Sequence, residues 1–500
     1  MNNKKVKKNK ILRIAGLVGL FLLVFGISFA LFTITLNGTK KNRIATGRLS
    51  LRITDRQGHD ETEGYAIDLV NAIPTPDEDG IKQNDKYEFN VENDGTIPAK
   101  YDLYVKVLSS TLDASKVKFF LEEDGQRVTA NPELITAGNT ATDDGYTIYR
   151  IDNDLVNVDE NHEYTLRIWL DEAADNSAMN KSFEAQLYLS GRQLTKDENP
   201  FKENTLAYEI YEDYNVEDVT FDKEFNAYVN DTPTDIESSK LYRYPTEDGK
   251  YGYYFRYSIA IINVDEISDV YDRAYMGLHI EPDGSVRALR TGAPFNSYEY
   301  NNEDTGVDAL KFNNSIVKQK LDEWYEKSAD EFDKYMVEST YCNDFRENAN
   351  SGFSQYAING GFATNAFGVM TRSNSTMEQE SDMVNYKVKP NLNCRAADRV
   401  VTKVALPTID ELILAYNAKV GYNRSTTWTM SPAVIGGTEN MMYATSIESG
   451  IELLPVTSEN IVPEPAITFN RNAKVTSKQS IPANKANPED PDLYIFQYNI

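Results

Sequence analysis

Residues 86–93, KYEFNVEN, decide the fold of the first half of the chain. Tyr87, Phe89 and Val91 alternate with Glu88, Asn90 and Glu92, a period of two that sends apolar side chains to one face of a strand and polar ones to the other. The pattern recurs on both sides. Leu49, Leu51 and Ile53 alternate in RLSLRIT, and Tyr101, Leu103, Val105 and Val107 do so in KYDLYVKVL. VKFFLEE, YTIYRI, EYTLRIWLD and SFEAQLYLSG follow, with Leu166, Ile168 and Leu170 on one face of the third of these. Turn signals separate the runs: Pro74-Thr75-Pro76, Glu92-Asn93-Asp94-Gly95, Glu123-Asp124-Gly125 and Asp143-Asp144-Gly145. About seven half-buried strands within residues 44–193, with no convincing helical pattern, predict an antiparallel β-sandwich.

Five hundred residues exceed one compact core, so two or more domains are expected. With 41% hydrophobic and 26% charged residues the composition is globular, which excludes wholesale disorder and collagen-like structure. The net charge is −26; setting apart the nine basic residues of the first 43 leaves −35 on residues 44–500. A body that acidic repels phosphate backbones, so no nucleic-acid partner is expected. Two Cys and three His far apart in sequence (His59, His162, His279) argue against zinc fingers and His-rich metal centres.

Residues 1–13 form a basic cytoplasmic leader, with Lys4, Lys5, Lys7, Lys8, Lys10 and Arg13. Residues 14–36, IAGLVGLFLLVFGISFALFTITL, carry no charge. As a helix this segment would measure about 34 Å, enough to cross a hydrocarbon layer of about 30 Å. The charge bias keeps the N-terminus inside and exports the rest. Two readings stay open. An uncleaved single-pass anchor explains the length, since a signal-peptide apolar core is about 7–15 residues. A signal segment cut after Ala30 explains the small-x-small Ser28-Phe29-Ala30 and the strand period that follows, with Phe32, Ile34 and Leu36 alternating with Thr33 and Thr35. The polypeptide is then either a cell-membrane protein with external domains or a secreted one. Leu454-Pro455-Val456-Thr457-Ser458 superficially suggests a wall-sorting signal but is followed by neither an apolar stretch nor a basic tail.

Residues 194–240 read as an acidic linker with a short helix at Asn204–Tyr211, residues 241–471 as a mixed α+β domain, and residues 472–500 as a loosely held tail in which Tyr494–Tyr498 can dock as a last strand. Two hairpins are expected around Glu247-Asp248-Gly249 and Pro282-Asp283-Gly284. Helical spacing of Val317, Leu321, Trp324, Tyr325, Phe332, Tyr335 and Met336 predicts a helix over Ser315–Glu338 whose aromatic face is core. Thr408 and Glu411 have capping-box spacing at the start of a second helix.

Resemblances add to this reading. Ala45–Leu51, then Tyr87-x-Phe89-x-Val91-x-Asn93-x-Gly95-Thr96-Ile97-Pro98-Ala99-x-Tyr101, and later Leu166–Asp171, resemble camelysin-type, TasA-like exported proteins of Gram-positive bacteria. The resemblance covers about 150 residues and implies a jelly-roll-like sandwich. It also implies filament assembly in the biofilm matrix by a donated N-terminal strand, with Phe32, Ile34 and Leu36 as the side chains that fill the acceptor. The second half resembles an uncharacterised Gram-positive surface-protein domain, through Tyr253–Arg256, Asp283–Ser285, Leu321–Tyr325, Tyr341–Asp344, Cys394, Leu406–Glu411, Trp428–Pro432 and Pro465–Ile467. The order LPTxxE helix, WxxSP strand and closing strand is similar to the C-type-lectin-like and formylglycine-generating-enzyme-like superfamily, which implies a lectin-like interaction domain.

Catalytic cysteines do not carry over, because Cys342 and Cys394 precede the LPTxDE helix where the enzymes place theirs late. In an oxidising exterior the two residues are candidates for a structural disulfide, with buried free thiols as the alternative. Trp428-Thr429-Met430 lacks the carboxylates of a lectin calcium site, and Asp152-Asn153-Asp154 with Asp159-Glu160 lacks calcium-loop spacing and reads as solvated charge. No P-loop, G-x-S-x-G or H-E-x-x-H occurs. The expectation is a mainly β, non-enzymatic surface protein without cofactor or metal. Its candidate binding surface is Trp428, Tyr422, Asp410 and Glu411, its partners are the membrane and a cell-wall glycan or surface protein, and self-assembly is the alternative. A degenerate oxidase or hydrolase would instead show a deep polar pocket around Trp428, Asp410 and Glu411.

Overall fold

The computed structural model describes residues 33–35, 48–61, 66–70, 72–129, 131–195 and 198–221, and beyond them 227–229, 232–233, 240–245, 250–255, 259–263, 275–290, 296–302, 307–328, 335–343, 362–365, 369–372, 384–387, 394, 396–408, 411–412, 426–434, 440–446, 450–481 and 493–498. The chain is mainly β and divides into two compact units, Met1–Gly125 with Asn131–Glu198, and Gln126–Ala130 with Asn199–Ile500.

Strands in chain order through the first half are β1 (Thr33–Thr35), β2 (Leu51–Asp55), β3 (Ala66–Val70), β4 (Pro74–Thr75), β5 (Tyr87–Asn93), β6 (Ala99–Ser110), β7 (Val117–Glu123), β8 (Gln126–Arg127, grouped with the second unit), β9 (Glu133–Leu134), β10 (Thr140–Asp143), β11 (Tyr146–Val156), β12 (Asn161–Asp171) and β13 (Ser182–Gln193). One sheet of the first unit runs β1-β13-β6-β11-β10, with β3 also on β13. The other runs β2-β5-β12-β7, with β4 on β12 and β9 on β7. All these pairs are antiparallel except β4 with β12. The alternation seen in the sequence becomes burial: Phe89 and Val91 on β5, Leu103 and Val105 on β6, Val117, Phe119 and Leu121 on β7, and Leu166, Ile168 and Leu170 on β12 are all interior. The sheets approach closely at Gly191 of β13, where a Cβ would lie 2.2 Å from Leu51 Cδ1 of β2. Trp169, on the opposite parity of β12, is buried against the helical turn Asp77–Gly80.

Thr33–Thr35 fall inside the stretch whose apolar run suggested a helix to Leu36. They form β1 instead, antiparallel to Ser190–Arg192 of β13. Ala30, Phe32, Leu36 and the rest of residues 1–32 lie outside the described residues, as does the side chain of Ile34. Among the described residues no helix is long and apolar enough to cross a membrane.

In the second unit, Tyr275–Ile280 and Val286–Arg290 form the hairpin expected around Pro282-Asp283-Gly284, with Gly284 at φ +91°. A side chain would be strained there. Val286–Arg290 pairs with Ala466–Phe469, which pairs in turn with Val404–Ala405. Lys240–Pro245 and Tyr251–Phe255 make the other expected hairpin in the same sheet.

The first helix is shorter than its periodicity suggested. It spans Ile316–Ser328, is opened by Ser315, whose Oγ accepts from Lys318 N at 3.0 Å, and buries Val317, Leu321 and Tyr325. Tyr335, Met336 and Val337 are not helical. They lie along the closing strand, with Met336 bridging Phe469 and Val337 N donating to Thr468 O at 3.0 Å. Pairing with a strand outweighs the helical spacing of these apolar residues. In the stretch read as linker, the short helix expected at Asn204–Tyr211 is present as Leu206–Asp213, and the strand Asn215–Phe221 follows it, with Phe201, Leu206, Ala207, Ile210 and Tyr214 buried in the second core. In the C-terminal segment the expected last strand is present as Leu493–Tyr498, paired with Val475–Ile481. Cys342 and Cys394 are joined in a disulfide, with Cα atoms 5.5 Å apart.

Candidate functional site

A buried polar grouping in the first unit sits between its two sheets. Tyr101 on β6 and Asp152 and Asp154 on β11 come from one sheet; Glu123 at the end of β7 and His162 and Tyr164 on β12 come from the other. All six are buried to 5% exposure or less.

Strand parity puts them there. On β7, Glu123 continues the inward series Val117, Phe119, Leu121, and on β12, His162 and Tyr164 continue Leu166, Ile168, Leu170. Strand β11 changes parity along its length. Tyr149 pairs with Val105 and Arg150 with Tyr104, but the next partners are Asp152 with Leu103, so the strand bulges at Ile151. One extra residue turns the other parity inward. Asp152, Asp154 and Val156 thereby face the core with their cross-strand partners Leu103, Tyr101 and Ala99. The expectation that Asp152 and Asp154 are solvated charge is therefore overturned; Asp159 is exposed, as a turn residue at φ +59°.

The contacts are short. Tyr101 and Tyr164 meet hydroxyl to hydroxyl at 2.6 Å. The Tyr164 hydroxyl is also 2.9 Å from Glu123 Oε1 and 2.9 Å from Asp152 Oδ2. His162 Nδ1 lies 2.9 Å from the Tyr101 hydroxyl, 2.8 Å from Glu123 Oε1 and 3.7 Å from Asp154 Oδ2. The two phenol protons and the imidazole thus sit among several carboxylate oxygens within hydrogen-bond reach. Burial pushes the Tyr101 phenol well above its usual value, and the charges of Glu123, Asp154 and Asp152 push it further. Burial, then Asp152 and Glu123, do the same to Tyr164. Both phenols stay protonated and donate. Phe89 stacks on Tyr164 with centroids 5.3 Å apart, walling one side. Enclosed in this way, the cluster can hold shared protons or a cation.

The second unit holds a buried ion cluster of different character. His279 and Arg287 are cross-strand partners in the hairpin. Arg287 reaches Glu411 Oε1 at 2.8 Å, Glu281 Oε1 at 2.8 Å and the Thr340 carbonyl at 2.8 Å, and its guanidinium lies 4.2 Å from the Tyr341 ring centroid. Burial raises the Glu281 carboxyl, but the Arg287 charge and His279 outweigh it and hold it at about 2. Desolvation lowers Arg287, while Glu281 and Glu411 more than compensate and keep it charged. These bonds tie the hairpin to the strand Ser339–Cys342 and to the start of the second helix.

Of the residues offered as a binding surface, Trp428 and Glu411 are interior. Trp428 is fully buried, its Nε1 donating to Tyr298 O at 2.9 Å and its ring edge-on to Tyr300. Glu411 is buried in the Arg287 cluster and closes the capping box, accepting from Thr408 N at 2.6 Å while Glu411 N donates to Thr408 Oγ1 at 3.1 Å. Asp410 and Tyr422 lie outside the described residues. A large aromatic in a WTMSP strand and a capping glutamate satisfy core and cap before they satisfy a ligand. The structure does not bring Trp428 and Glu411 together as an exposed patch.

Sequence reasoning read Asp152 and Asp154 as solvated charge and gave Glu123 and His162 no role in a site. The signal that finds Glu123 and His162 was present, since each extends an apolar period-two series by one step. No family model matches the chain, and no curated protein matches it either.

Proposed function

We propose that the chain is an exported, non-enzymatic cell-surface protein, with its sandwich serving as stalk or assembly module and its second unit as an interaction domain for a glycan or protein. The observation that carries this reading is the Cys342–Cys394 disulfide, a bond that persists in oxidising compartments. The basic leader before 23 uncharged residues supports the same compartment. Interior packing of Trp428 and Glu411 speaks against a catalytic pocket there. The lectin-like character and the Gram-positive surface-domain relationship rest on the motif resemblance. A binding screen of the whole chain against cell-wall fragments, glycans and surface extracts tests the interaction role. Saturable binding lost on reduction of the disulfide is the expected result, and no binding to any of them contradicts it.

A second reading is favoured by β1. Thr33–Thr35 pair with Ser190–Arg192 of the same chain, so this part of the β13 edge takes an added strand. A neighbour's segment could occupy the same edge once the apolar stretch is cut at Ala30, giving a filament subunit that assembles by strand donation. N-terminal sequencing of protein from native cells separates the two readings. A mature start at Leu31 supports assembly, and retention of Met1–Ala30 in the membrane fraction supports a tether.

A further inference from the structure

We infer that Glu123, Asp154 and His162 form a binding site for one divalent transition ion of the Zn2+ or Mn2+ class, clamping the two sheets of the sandwich together. This inference is independent of the proposed surface role. Their ligand atoms all lie within 4.8 Å of one another, and all three side chains are buried. An ion about 2.0–2.2 Å from each of three donors spaces them by about 3–4 Å, so side-chain adjustments of about an ångström or less complete the site. His162 Nδ1 is the pivot, facing Glu123 Oε1 at 2.8 Å and Asp154 Oδ2 at 3.7 Å.

The donor set selects the ion. One imidazole nitrogen with carboxylate oxygens suits Zn2+ or Mn2+, whereas Ca2+ takes about 6–8 oxygens and no imidazole is needed. A supporting layer is in place. The Tyr164 hydroxyl bonds both Glu123 Oε1 and Asp152 Oδ2, and the Tyr101 hydroxyl bonds Tyr164, so the phenols orient the ligating carboxylate as outer partners do in metal sites. Glu123 and His162 belong to one sheet and Asp154 to the other, so one ion ties both. The ion enters as any proton on Nδ1 or on a ligating carboxyl leaves to solvent. Burial of all three donors means that the ion is loaded during folding.

The test uses the whole chain, unfolded in chelator and refolded with no metal, with ZnSO4 or with MnCl2. The expected result is one ion per chain by elemental mass spectrometry. At an ion concentration about a hundredfold above its Kd, the melting temperature should rise by about 5–10 °C. In the Mn2+-loaded chain, electron spin echo modulation should show one imidazole nitrogen, a readout that needs no variant. Glu123→Gln should lose the ion, while Glu281→Gln in the second unit should keep it. A wild-type chain that takes no ion overturns the inference. So does bound Mn2+ without an imidazole nitrogen, or a folded Glu123→Gln chain that binds as well as wild type. If Glu123→Gln fails to fold, the echo measurement on the wild-type chain decides.

Discussion

The hydroxyls of Tyr101 and Tyr164, one from each sheet of the sandwich, lie 2.6 Å apart in its interior. This contact joins the two sheets by a polar bond where the surrounding core is apolar, and it brings the carboxylates Glu123 and Asp152 onto a single phenol oxygen.

Removing either hydroxyl leaves buried acceptors short of a donor. Tyr101→Phe and Tyr164→Phe should each destabilise the first unit by about 1–3 kcal/mol. Because the two act in one network, the double variant should cost less than the sum, by about 0.5 kcal/mol or more. Urea unfolding of the four chains measures this cycle; strict additivity contradicts the network.

Alkaline titration reads the same site. Folding raises both phenols above their unfolded value near 10, so their contribution is fully present below that pH and is lost as pH rises beyond it. Ultraviolet titration of wild type should show two more tyrosines that ionise only together with unfolding than the Tyr101→Phe/Tyr164→Phe double variant does, Tyr300 and Tyr341 of the second unit being raised in both. The Tyr101→Phe/Tyr164→Phe double variant should lose less stability between pH 10 and 12 than wild type.

Acid acts on the second unit with the opposite sign. Glu281 is lowered from 4.5 to about 2 by Arg287 and His279, so its stabilisation is complete above pH 4.5 and fades as pH falls towards 2. That shift corresponds to about 3 kcal/mol. Melting curves at pH 5 and pH 2.5 should differ less in Glu281→Gln than in wild type; equal pH sensitivity contradicts the assignment.

The Cys342–Cys394 bridge closes a separation of 52 residues. Its loss should cost about 4 kcal/mol in the loop-entropy description. Cys342→Ser/Cys394→Ser should lower the unfolding midpoint of the second unit and leave the Tyr101 and Tyr164 titration unchanged.

Much of the sandwich was legible because half-buried strands write their faces in alternate residues, as Phe89 and Val91 or Leu166 and Ile168 do. The candidate cluster was not, because the same parity was read only where it was apolar. Glu123 and His162 were steps in a series already identified, while Asp152 and Asp154 needed the bulge at Ile151, which no local spacing announces. In the second half, Tyr335 and Met336 kept helical spacing with Leu321 yet joined a strand, a tertiary preference that periodicity does not encode. Thr408 and Glu411 were legible because a capping box is local, and their bonds are those expected. Trp428 was misplaced because the sequence of an aromatic strand does not say which of its faces is covered.

The central claim is that residues beyond the apolar N-terminal stretch reside outside the cell. Treating intact native cells with an impermeant protease, then blocking and counting free thiols in the protected and released fractions, tests it directly. The account predicts cleavage of the external domains with Cys342 and Cys394 oxidised. Recovery of the whole chain from the cytosol, protected from protease and with both thiols reactive, would contradict it.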